Sequence, residues 1–162
     1  MLQRLAGDAW GVSNSLAYLG LLASERGDQT RAAAAHQESL GPRWTARDWE
    51  DVAGSLADVA VVAAAVERSE AAARLFGAAD AMLGEDERVR KLPERAVYER
   101  GELRARTALG ADAFMAAFSA GSALPRERAI AEAVAFADEI AHPGARQSSG
   151  PLGDKVEEPP PG

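Results

Sequence analysis

Two histidines, a run of acids and a cluster of arginines are the residues here whose types could do chemistry. His36 could serve as a base or a metal ligand. No second histidine stands three or four positions away, and Gln37 and Glu38 lie on other faces of a helix. His36 is therefore expected to be a partly exposed helix residue. His142 falls at a helix end, where a cation is favoured beside the last carbonyls. Glu85-Asp86-Glu87 offers carboxylates, but it lacks the spaced oxygen donors and turn glycine of a calcium loop and reads as a solvated connector. Ser13, Ser15, Ser55 and Ser69 have neither a Gly-x-Ser-x-Gly elbow nor a histidine partner. No pair of carboxylates is set in an apolar stretch that would raise one of them for acid catalysis. Arg95, Arg100, Arg104 and Arg106 alternate with Glu94, Glu99 and Glu102, a pattern of weak surface ion pairs along a helix, with anion recognition as the alternative. The expectation is no catalytic residue, no metal site and no cofactor.

The elements that would carry these residues are helices. The 162 residues suffice for one domain with a real core. Alanine is abundant and aromatics make up 6% of the chain, so little side-chain entropy is lost on forming helix. Apolar residues recur at steps of three and four, as in Leu16, Leu19, Leu22 and Ala23, and then Leu75, Ala79 and Met82; no stretch alternates as a strand would. A net charge of -7 opposes binding to a duplex or an anionic membrane, so neither is expected as a partner of this chain alone. The sequence has no cysteine, which excludes disulfides, thiolate catalysis and zinc–thiolate sites. With no apolar run near the ~20 residues of a membrane span and no signal-peptide start, a cytoplasmic location is expected.

The chain repeats itself. Leu16-Ala17-Tyr18-Leu19-Gly20-Leu21-Leu22-Ala23 aligns with Leu56-Ala57-Asp58-Val59-Ala60-Val61-Val62-Ala63 at an offset of 40, which also pairs Ala32 with Ala72 and His36 with Phe76. Each unit reads as a helical hairpin. In the first, a helix from Ser13 to Arg26 breaks at Gly27-Asp28, and a second runs from Gln29 to Leu40, ending before Gly41-Pro42. In the second, a helix from Arg47 to Glu67 precedes one capped by Ser69 and ending near Leu83. Beyond a connector at 84–88 come helices at 93–109, 112–121 and 125–141, with Pro93 and Pro125 at their starts. The tail at 142–162, rich in Ser, Gly, Pro and Glu, is expected to be disordered. The domain is thus 1–141, with hairpins at 13–40 and 47–83 and capping helices at 93–141.

Leu16, Leu19, Gly20 and Ala23, then Gly27, then Ala32 follow the order of small and large residues in a tetratricopeptide repeat, and Leu56, Val59, Ala60, Ala63, Ala72 and Phe76 follow it again. The period of 40 is longer than usual for that repeat, and His36 stands where a bulky apolar residue is expected. With Ala72-Ala73-Arg74-Leu75-Phe76-Gly77-Ala78-Ala79-Asp80 and Leu109-Gly110-Ala111-Asp112-Ala113-Phe114, the chain resembles the C-terminal repeat region of bacterial signalling-ATPase regulators of the LuxR family. The resemblance implies an all-α, tetratricopeptide-like α-α array of about seven helices, with the helices after Pro93 capping it. Such regulators carry a phosphate loop and often a helix-turn-helix; neither motif is in this sequence. Ala6-Gly7-Asp8 lies 40 residues before Ala46-Arg47-Asp48, so Met1 is expected to begin inside a preceding repeat of a longer regulator.

In such arrays the first helix of each hairpin lines a concave face. The repeat register puts Asn14, Ala17, Leu21 and Ser24, then Gly54, Ala57, Val61 and Ala64, on that face as a partner-binding groove. Small and apolar, it suits a helix, either from a protein partner or the chain's own helix 125–141; the alternative is that this face is internal packing with no open groove. The function expected is a non-catalytic protein–protein interaction and regulatory module; the alternative is a domain sensing a small-molecule inducer in the same groove.

Overall fold

The computed structural model describes residues 2–83 and 92–144, with the backbone alone for 2–7 and 92–94. Among the described residues there are seven helices and no strand: α1 (Leu2–Glu25), α2 (Gln29–Ala46), α3 (Trp49–Ala65), α4 (Ser69–Met82), α5 (Leu92–Leu109), α6 (Ala111–Ser122) and α7 (Arg126–Ala141). The connector 84–88 lies outside them, as does most of the tail; His142 to Gly144 form an exposed turn.

The first two hairpins, α1–α2 and α3–α4, are built alike. Gly27 and Glu67 both take left-handed backbone, φ 83° and 62°. One residue later, the amide of Asp28 donates to Ala23 O and that of Arg68 to Ala63 O, closing the same turn 40 residues apart. Asp28 caps α2 by accepting from the Arg31 amide (3.0 Å). The equivalent cap of α4 differs from expectation. Arg68 occupies the N-cap without a side-chain bond, and Ser69 is buried inside the helix.

Small residues bring the paired helices together. Gly20, Ala60, Ala32 and Ala72 are all buried, and Phe76 is buried with them. The hairpins then stack through α2 on α3. Nearly every residue of α3 from Val52 to Ala64 is buried, so this helix is the centre of the core.

Two boundaries expected from sequence are wrong. Helix α1 begins at Leu2 rather than Ser13, and α2 passes through Gly41-Pro42 to Ala46 rather than stopping at Leu40. A proline inside a helix forfeits one backbone bond and crowds the turn before it. Tertiary contacts hold the turn in place regardless. Arg43 is buried, donating to Ser55 Oγ (2.6 Å) and Asn14 Oδ1 (2.8 Å), and Trp44 meets Trp49 edge-on at 5.4 Å. The helix ends at Arg47, in left-handed backbone (φ 56°), where the Asp48 amide reaches Arg43 O.

After Leu92 the packing changes. Helix α5 lies on both α3 and α4, whereas α6 leans on α4 far more than on α5. The α4–α6 crossing is glycine against backbone. A Cβ on Gly77 would collide with the carbonyl of Phe118, and one on Gly121 with that of Arg74. Ser122 Oγ lies 3.1 Å from the carbonyls of both Gly77 and Phe118, and its single proton, shared between them, fastens the crossing. Helix α7 returns to α2, with smaller contacts to α3 and α4. The Arg74–Glu132 ion pair (2.9 Å), the bond from Gln37 to Asp138 (3.4 Å) and the Arg126 guanidinium 4.5 Å over the Trp49 ring mark its course.

Candidate functional site: the cleft between α1, α3 and α5

The first helices of the three helix pairs meet around a cleft of about 250 Å³. Its floor and walls are Ser24 from α1, Val61, Ala64 and Ala65 from α3, and Val97 and Gly101 from α5. Gly101 sets its width. A Cβ there would stand 3.0 Å from Phe76 Cζ and 3.2 Å from Val61 Cγ2, so any larger residue would need those two side chains to give by a few tenths of an ångström for α5 to settle this close to α3 and α4. Above the apolar floor, Arg100 donates to Glu25 (2.8 Å), an exposed pair between the first and third of these helices. Exposed pairs of this kind are worth at most about 1 kcal/mol and open readily. Arg104, one turn further along α5, also lines the cleft and has no carboxylate partner among the described residues.

Of the residues expected to form a groove, Ser24, Val61 and Ala64 do line this cleft. The others are used by the fold. Ala57 is 0% exposed and Ala64 1%, so Ala57 is core and Ala64 contributes floor without a reachable face. Ala17 is buried against α2. Asn14 is engaged by Arg43, which leaves Leu21 and Gly54 half-buried at the edge. The cleft's wall of Val97, Arg100 and Arg104 was not anticipated. Its sequence signal was the cluster Arg95, Arg100, Arg104 and Arg106, read first as surface ion pairs and second as an anion-recognition site. The helix α7, one candidate occupant of a groove, packs on α2 instead.

A buried polar cluster joins α5, α3 and α2. The Tyr98 hydroxyl of α5 donates to Asp58 Oδ1 of α3 (2.8 Å), and the second Asp58 oxygen is 3.6 Å from His36 Nδ1 of α2. His36 is fully buried, contrary to the partly exposed position expected for it. Its ring faces Gly20, where an added Cβ would stand 2.5–2.8 Å from three ring atoms. Neither ring nitrogen makes a hydrogen bond. Burial pushes the imidazole below its usual 6.5; Asp58 opposes that shift and Arg43 adds to it. His36 is thus a neutral filler of the α1–α2 crossing. The Tyr98–Asp58 bond ties α5 to α3 and so fixes the cleft wall.

Among the described residues, no three His, Asp or Glu side chains gather as a metal would require, and no helix is long and apolar enough to cross a membrane. Comparison with known proteins gives no match to a family model, a curated protein or a solved structure, so the role of the cleft has to be read from its own residues.

Proposed function

We propose that the chain is a non-catalytic interaction and regulatory module that holds a helix or peptide of a protein partner in the cleft between α1, α3 and α5. The tetratricopeptide-like pattern of its hairpins supports reading it as the C-terminal repeat arm of an ATPase-linked regulator of the LuxR type, working in the cytoplasm. The observation that carries the proposal is the cleft wall, where Val61, Ala65 and Val97 offer an apolar strip flanked by Arg100 and Arg104. A bound helix would lay one apolar side chain on the strip and set an acidic side chain one turn away against Arg104. At about 250 Å³ the cleft is smaller than the ~300–1,000 Å³ typical of metabolite pockets, which favours a peptide over an inducer.

Panning a displayed library of amphipathic helical peptides against the full chain tests this. Enriched peptides should carry an acid three or four positions from an apolar anchor, and Arg104→Glu should weaken them by about tenfold or more. Enrichment that ignores Arg104→Glu and Val97→Glu would overturn the reading. The inducer alternative predicts a thermal shift with anionic metabolites that Arg104→Glu removes.

A further inference from the structure

The charges at the rim of the cleft sit badly in the helices that carry them. Glu25 is the last residue of α1, whose final turn holds no basic residue, and a carboxylate there meets the partial negative charge of the helix end. Arg100 and Arg104 stand four apart on α5, a spacing at which like charges repel along a helix. Neither has an acid three or four positions away on α5. Those places hold Ala96, Val97 and Leu103 around Arg100, and Gly101, Thr107 and Ala108 around Arg104. Earlier on the same helix Arg95 shows the ordinary arrangement, bonded to Glu99 at 2.7 Å. Three unfavourable placements thus converge on one cleft, and the Arg100–Glu25 bond of 2.8 Å relieves only two of them. Local rules are broken in this way where a site requires it. The place of Glu25 also belongs to the cleft in either hairpin. Its register equivalent, Ala65, lines the same cleft and stays only half-buried with the first hairpin packed on α3.

We infer that Glu25 is a built-in stand-in for an acidic side chain of the partner. The cleft then reads two acids one helical turn apart, one meeting Arg104 and the other taking Arg100 from Glu25, a step that rests on the reading of the cleft as a helix-binding site. Four residues of any α-helix rise about 6 Å, so acids four apart on the partner match the spacing of the two arginines on α5. In the free chain one of the two seats is filled from within. That pair is exposed on both sides and weak, so an incoming acid can displace Glu25 without disturbing the packing below. The consequence is selectivity. A partner with one acid leaves the Glu25–Arg100 bond closed and gains from Arg104 alone. A partner with two opens that bond and gains from both arginines, less the cost of turning Glu25 out. Glu25 therefore sets how strongly the second acid counts.

A ratio of affinities tests this. Amphipathic helical peptides are made with a single acid opposite Arg104, with two acids four apart and with two acids two apart, and each is titrated against the full chain by fluorescence anisotropy. Wild type should favour the four-apart peptide over the single-acid one by about threefold, Glu25→Gln should widen that ratio to about tenfold or more, and Arg100→Gln should bring it to about one. Glu25→Gln should also unfold at the wild-type temperature, because the lost pair is offset by relief of the α1 terminus. Three results would each overturn the inference while binding still depends on Arg104 and Val97. They are equal ratios in wild type and Glu25→Gln, a preference for the two-apart peptide, and a clearly less stable Glu25→Gln chain, which would make the pair a structural tie. Binding that ignores Arg104→Glu and Val97→Glu overturns the helix-binding reading itself, and the inference falls with it.

Discussion

The imidazole of His36 covers the backbone of Gly20 where the two helices of the first hairpin cross. The register equivalent of His36 in the second hairpin is Phe76, and the position is filled by a flat ring in both. The histidine differs in one respect, because it can be protonated. Its folded-state pKa is depressed by burial, so at low pH the unfolded chain binds the proton more readily than the folded one. Stability from this residue is complete above 6.5 and declines as pH falls below it until the folded pKa is reached. Urea unfolding measured in steps from neutral to mildly acidic pH should show this slope, and His36→Phe should flatten it.

The α4–α6 crossing should be the least forgiving place in the molecule. At Gly77 and Gly121 the obstacle is backbone, which cannot rotate away. Gly121→Ala is expected to cost about 3 kcal/mol or more, at or above the upper end for overpacking, even though alanine is the better helix former by about 1 kcal/mol. Gly11→Ala, at a helical glycine with open space around it, should instead be neutral or stabilising. Thermal unfolding of the two variants side by side separates the effects.

The turn at Glu67 predicts a gain. Glu67 holds the left-handed conformation that Gly27 holds in the first hairpin, and its side chain is exposed. Replacing it with glycine removes a steric penalty of about 1 kcal/mol at no packing loss. Glu67→Gly should raise stability by about 0.5–1 kcal/mol in denaturant unfolding, and Gly27→Glu should lower it by a similar amount.

Tyr98→Phe should loosen the cleft wall. The lost bond is to a buried carboxylate, where hydrogen bonds are worth about 1.5–3 kcal/mol. Hydrogen exchange of α5 amides should quicken in the variant more than that of α3, and peptide binding in the cleft should weaken with it.

Much of the fold was legible because helix–helix distance depends on side-chain size. Gly20, Ala32, Ala60 and Ala72 could be read as crossing points without knowing what lay opposite. Turn chemistry was equally local at Gly27-Asp28. What sequence could not give was the partner of each face. Gly41-Pro42 reads as a stop, yet Arg43 and Trp44 are held by residues from other helices, and that binding outweighs the proline. His36 reads as polar and therefore exposed, but Gly20 and Asp58 enclose it from two sides. Ala57 falls in the expected groove register, but α3 is covered so fully that between Val52 and Ala64 only Gly54 and Val61 keep appreciable surface. One overlooked signal was available. Glycines at 77 and 121, inside helices of an alanine-rich chain, are costly unless another backbone needs the space.

The return of α7 has a mechanical consequence. A stack of hairpins joined only to neighbours flexes like a spring, opening and closing its inner curve. Here residues 126–141 clasp both hairpins at once, through Gln37 on the first and Trp49 and Arg74 on the second. The curvature of the first two hairpins is locked from behind, so the face that carries the cleft is held in one shape.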